Sequence, residues 1–75
     1  MATIELKADI TGTIWKVLKS VGDAVQEDEA ILILESMKME IPVASPDPGT
    51  IAAILAGEGD IVRDGMVLVR IDVKG

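Results

Sequence analysis

The sequence predicts an all-β fold of about eight short strands in two small sheets, related by quasi-two-fold symmetry. Three observations predict it. The chain repeats itself. Its apolar residues are aliphatic, rich in Val, Ile and Leu, with Trp15 as the only aromatic and no Phe or Tyr. Its apolar runs are short and end at turn residues. An aliphatic, β-branched core favours sheet over helix.

The repeat is found by shifting the chain 37 residues along itself. Gly12-Thr13-Ile14 then falls on Gly49-Thr50-Ile51, Leu18 on Leu55, Gly22-Asp23 on Gly59-Asp60, and Val25 on Val62. Apolar character also matches at Ile4 and Ile41, Leu6 and Val43, Ile31 and Leu68, and Leu34 and Ile71. No gap is needed. Two copies are too few for a solenoid, so residues 4–37 and 41–74 are expected to form the halves of one domain spanning 1–75.

Each copy reads as strand, turn, strand. Gly12 and Gly49 each open an apolar stretch. Ile14 to Lys19 looks like a strand, and the repeat decides that its partner Ile51 to Ala56 is one as well. Taken alone, that Ala- and Leu-rich segment would also suit a helical turn. Gly22-Asp23 and Gly59-Asp60 are turn signals, because Gly reaches positive φ and Asp bonds its own backbone. Glu27-Asp28 and Asp64-Gly65 mark second turns. The runs Ala30 to Leu34 and Met66 to Val69 follow, with the length of buried strands. Pro42, Pro46 and Pro48 break any helix through the middle.

Composition narrows the chemistry. A chain of 75 residues supports one small core, and such domains often need disulfides or metals. With no Cys and no His, neither staple is available in its usual form. The lack of Cys fits a cytoplasmic location, and the first residues lack the pattern of a secretory signal. The longest apolar run, Ile51 to Ala56, is far short of the ~20 residues that span a bilayer. A net charge of −6 without a basic stripe argues against nucleic acid as a partner. Scattered carboxylates provide no nucleophile–base pair and no metal cluster, so neither catalytic residues nor metal ligands are expected.

One lysine stands apart. Lys38 sits in Glu35-Ser36-Met37-Lys38-Met39-Glu40, at the joint between the two copies, where a tight turn is expected. A hairpin tip presents its side chain to solvent. Methionines can fill core gaps, but two of them bracketing a charge at a turn are not both explained by burial. Strand alternation would put Met37 and Met39 on one side and Lys38 on the other. Lys7, Lys16, Lys19 and Lys74 have no such frame.

With these residues in view, the chain resembles the biotinyl/lipoyl attachment domains of the biotin carboxyl carrier kind, and most of all the small stand-alone attachment proteins. The resemblance covers nearly the whole chain. It rests on Met37-Lys38-Met39 with Glu35 upstream, on Pro46-Asp47-Pro48-Gly49-Thr50-Ile51, and on the turns Gly22-Asp23-Ala24-Val25 and Gly59-Asp60-Ile61-Val62. Ser36 stands where the family usually has Ala, and Ala8-Asp9-Ile10-Thr11 stands where a proline commonly precedes the glycine. No insertion separates the early strands, so the thumb of some carriers is absent.

The resemblance implies a flattened barrel-sandwich hybrid of two four-stranded sheets. It implies a non-catalytic carrier, monomeric as an isolated domain, with biotin joined by an amide to Lys38. A biotin protein ligase would load it, reading Met37 and Met39, and with them Glu35, Ser36 and Glu40. The loaded arm would carry carboxybiotin from a biotin carboxylase to a carboxyltransferase. Lipoate on the same lysine is the neighbouring reading, although lipoyl domains usually show Asp-Lys-Ala at this turn. An unmodified protein-interaction module is a reading of another class, and it predicts that Lys38 is dispensable.

Overall fold

The computed structural model describes residues 2–73, and among them there is no helix. Eight strands run in chain order: β1 Ala2–Lys7, β2 Gly12–Val17, β3 Ala24–Val25, β4 Ala30–Ser36, β5 Met39–Ala44, β6 Gly49–Ile54, β7 Ile61–Val62 and β8 Val67–Val73. Adding 37 to the bounds of β1, β2, β3 and β4 gives the bounds of β5, β6, β7 and β8. The repeat therefore holds for backbone hydrogen bonding as well as for residue type. The Ile51 segment is a strand, as its repeat partner demands. β4 and β8 run further than the apolar runs alone suggest, because Glu35-Ser36 and Arg70-Ile71-Asp72-Val73 continue the ladders.

The two copies do not form one sheet each. One sheet has the order β1-β8-β6-β3 and the other β5-β4-β2-β7, all pairs antiparallel. Each sheet thus takes two strands from each copy, and the same operation carries one sheet onto the other. The turns lock this interleaving. Gly22 N–H donates to the Ile51 carbonyl and Gly59 N–H to the Ile14 carbonyl, both at 2.8 Å. The Asp23 carboxylate accepts from Ser20 N–H, and Asp60 from Gly57 N–H, again both at 2.8 Å. These are the self-bonding turns that Gly-Asp predicts.

The core lies between the sheets. Ile14, Val25, Ile31, Leu32 and Leu34 are buried, and so are their repeat mates Ile51, Val62, Leu68, Val69 and Ile71. Each such side chain contributes about 1.5–3 kcal/mol by leaving water. The one buried polar side chain among the described residues, Ser45, donates its hydroxyl to the Asp47 carbonyl. The single aromatic, Trp15, is not in the core: it sits at an irregularity in β2 and is half exposed.

Candidate functional site: the β4–β5 hairpin

Ser36 of β4 pairs with Met39 of β5, leaving Met37 and Lys38 as a two-residue turn. Both central residues have positive φ, 52° at Met37 and 65° at Lys38. Two-residue hairpin loops with this backbone match the twist of the strands they join, and they favour Asn-Gly because side chains with a normal Cβ resist that conformation. A non-glycine residue there costs roughly 1–2 kcal/mol. Neither Met nor Lys is the residue that the backbone selects. Six residue pairs of β4–β5 hold the turn in place against that cost. Strained backbone supported by its surroundings is characteristic of functional sites.

The turn places Lys38 in solvent, at the end of the sheet β5-β4-β2-β7. Met37 is 87% and Met39 63% exposed, so neither fills a core gap. The expected alternation of Met37 and Met39 about Lys38 does not hold. Alternation needs three residues on one strand, and here the turn separates Met37 from Met39. The other end of the domain confirms the placement by symmetry. The counterpart of the Ser36–Met39 pair is Val73–Ala2, the outermost described pair of the sister sheet.

Below the turn the hairpin is braced. The Ser36 hydroxyl donates to the Thr11 carbonyl at 2.9 Å, tying the last residue of β4 to the loop before β2. Gly12 makes this approach possible: a Cβ there would lie 2.5 Å from the Glu35 carbonyl oxygen and 3.2 Å from the Ser36 Cβ. Its repeat mate Gly49 lies equally tight against the Asp72 carbonyl. Sequence reading marked both glycines as strand openings and missed this second role. The only signal for it was their coincidence under the repeat.

Glu35 and Glu40 are exposed and directly opposite each other. Like charges in that position repel. Among the described residues neither has a cationic partner within salt-bridge distance. Their repeat counterparts, Asp72 and Thr3, are instead joined by a hydrogen bond from the Thr3 hydroxyl at 3.0 Å. The six residues singled out in the sequence, 35–40, thus occupy one hairpin end. No group of three or more acidic side chains suited to a metal ion occurs among the described residues.

Comparison with known proteins agrees with this geometry. The family model described as "Biotin-requiring enzyme" matches residues 4–71. A biotin/lipoyl attachment protein of Bacillus subtilis is 39% identical over 62 residues, which cover 83% of this chain and 85% of that protein. The dihydrolipoyllysine-residue acetyltransferase component of the pyruvate dehydrogenase complex of Corynebacterium glutamicum is 46% identical over 68 residues, covering 89% of this chain and 10% of that one. The crystal structure of Kluyveromyces lactis urea carboxylase superposes with a TM-score of 0.90 at 32% identity, over 96% of this chain and 6% of that one. The chain therefore spans most of the small attachment protein but only a small fraction of the two large enzymes. Fold, matched length and likeness to both cofactor classes agree: the chain belongs to the biotin/lipoyl attachment family, whose members are non-catalytic carrier domains of larger enzyme systems.

Proposed function

We propose that this chain is a biotin carrier, loaded on Lys38, that moves a carboxyl group between the active sites of a biotin-dependent carboxylase. One observation carries the reading: Lys38 stands exposed on a strained two-residue turn, framed by two exposed methionines at the end of a sheet. An attachment lysine has to reach into another enzyme's active site, and a hairpin tip allows that without unfolding the domain. Met37 and Met39 supply adaptable apolar contacts at the tip, a use suited to unbranched thioethers.

The residues fit a covalent arm. Lys38 is exposed and forms no salt bridge among the described residues. In the loading step Lys38 Nζ attacks the carboxyl carbon of a biotinyl adenylate. The amide bond forms, the bond to AMP breaks, and the protons displaced from the ammonium pass to the ligase or to water. The attacking nitrogen has to be the neutral amine, and this chain has no His or Cys to accept a proton from it. The ligase site must therefore supply the base. Bound biotin supplies the carboxyl-transfer chemistry, and the chain supplies position and effective concentration. Biotin carboxylase and carboxyltransferase are the partners that this cycle requires, and we place it in the cytoplasm.

A lipoyl carrier is the second reading, favoured by the 46% identity to the acetyltransferase component. Intact-mass measurement after incubation with biotin, ATP and a biotin protein ligase tests the proposal. The wild type gains one biotinyl group, and Lys38→Arg, folded and circular-dichroism-identical, gains none. An unchanged wild-type mass, or a gain with lipoate and a lipoate ligase instead, overturns the biotin reading.

A further inference from the structure

The repeat supplies an internal control for every surface position, and the two outer sheet faces differ. On the sheet β1-β8-β6-β3 the exposed outward positions are polar, charged or small. Arg70 Nε meets the Glu5 carboxylate at 3.2 Å, Thr3 bonds Asp72 at 3.0 Å, and Ala24 and Ala52 stand beside them. The same positions on the lysine-bearing sheet hold Ile33 for Arg70, Pro42 for Glu5, Ile61 for Ala24 and Trp15 for Ala52. Pro42 pairs with Ile33, Ile33 with Lys16, and Thr13 with Ile61, so these residues adjoin across four strands. Trp15 is 43% and Ile61 75% exposed. Trp15 is the extra residue of the β2 irregularity, which leaves both it and Lys16 exposed; Lys16 Nζ lies 5.3 Å from the ring centroid. The fold does not require this apolar face, because its twin folds with the same topology without one.

We propose that this outer face is a docking surface for the biotin protein ligase that loads Lys38, which would offer an apolar recess bordered by Lys or Arg. The inference rests on the biotin reading above. Three features choose this occupant. The face is continuous with the lysine hairpin: Ile33 lies about 10 Å along β4 from Ser36, at ~3.3 Å per residue, and the Met37-Lys38 turn follows directly. Glu35 and Glu40 lie between the apolar patch and the tip without a cationic partner among the described residues, so a basic border on the partner is complementary. The exposed apolar area is on the order of 200–300 Å², well short of the ~800 Å² per partner of a stable interface. That favours a partner that visits and leaves over a second copy of this chain.

The test is steady-state loading by a purified biotin protein ligase with biotin and ATP, read by intact mass, for wild type, Trp15→Ala, Ile61→Ala, and the pair Ile33→Arg with Pro42→Glu. That last variant copies the ion pair of the sister sheet, so its fold has an internal precedent. Each variant is expected to raise the KM for the carrier at least about fivefold, as loss of an anchoring contact does, with kcat unchanged. Glu5→Gln on the sister sheet leaves KM unchanged. An unaltered KM in all three variants overturns the proposal while leaving the biotin reading intact, provided the wild type loads. A fall in kcat alone, or a concentration-dependent dimer abolished by Trp15→Ala, also overturns it. Failure of the wild type to load overturns both.

Discussion

Replacing Met37 by Gly should make the unmodified protein more stable. Met37 holds φ at 52°, where a residue with a Cβ is disfavoured by about 1–2 kcal/mol. Its side chain is 87% exposed, so removing it forfeits little buried surface. Glycine offsets part of the gain, because it widens the unfolded ensemble by roughly 0.5–1 kcal/mol. The net expectation is a gain of about 0.5–1 kcal/mol, or roughly 2–8 °C in Tm for a chain this small. Urea denaturation of wild type and Met37→Gly measures it: the midpoint rises and the slope stays the same. Loading of Lys38 by a biotin ligase slows in the same variant, because an apolar contact at the tip is gone. A lower midpoint would refute the reasoning, since it would mean that the turn is unstrained or that Met37 contributes packing. A stabilised variant that loads at the wild-type rate would refute only the recognition role.

Further outcomes follow from the site's surroundings. Gly12→Ala should cost about 1–3 kcal/mol, because its Cβ would meet the Glu35 carbonyl oxygen at 2.5 Å and backbone has to move; an unchanged denaturation midpoint would rule out the close approach. The Lys19–Glu29 pair, 2.8 Å apart, makes an exposed contribution that depends on pH. The Lys19 hydrogen bond, and then the Gln26 backbone N–H, hold the Glu29 carboxyl below its usual range. A depressed carboxylate stabilises above its ordinary value near ~4.3 and loses that contribution as pH falls through the folded value. Lys19 is raised, chiefly by the same hydrogen bond, so its part persists through neutral pH and is lost only in strong alkali. The midpoint difference between wild type and Glu29→Gln should therefore be steady near pH 7 and shrink below about pH 4; a difference that persists at lower pH would contradict the assignment.

Strand number, the bounds of β2, β4, β6 and β8 to within about four residues, and the hairpin around Lys38 were legible in the sequence, because the repeat supplied these strands twice and marked the joint between its copies. Ile51 to Ala56 shows this: its composition suits a helix, and only its mate Ile14 to Lys19 made it a strand. That the two methionines are not both core fillers was legible from their position around a charge; that both are exposed came from the structure. Their relation across the turn was not legible, because alternation is a property of a continuous strand. The strain at Met37 and Lys38 was hidden for a related reason. Positive φ is usually announced by Gly or Asn, and here paired strands impose it on residues that do not favour it.

The sequence by itself determined the two-copy plan, the aliphatic core and the singular lysine. These follow from local pattern, which burial and turn chemistry read residue by residue. Tertiary structure alone decided that the copies interleave, with β1 beside β8 and β5 beside β4, since strand order depends on pairing between distant segments. It also decided that Ser36 braces the hairpin through Thr11 and that Trp15 and Ile61 share one outer face with the lysine sheet. Each of those contacts joins residues far apart in the chain, where no spacing rule reaches.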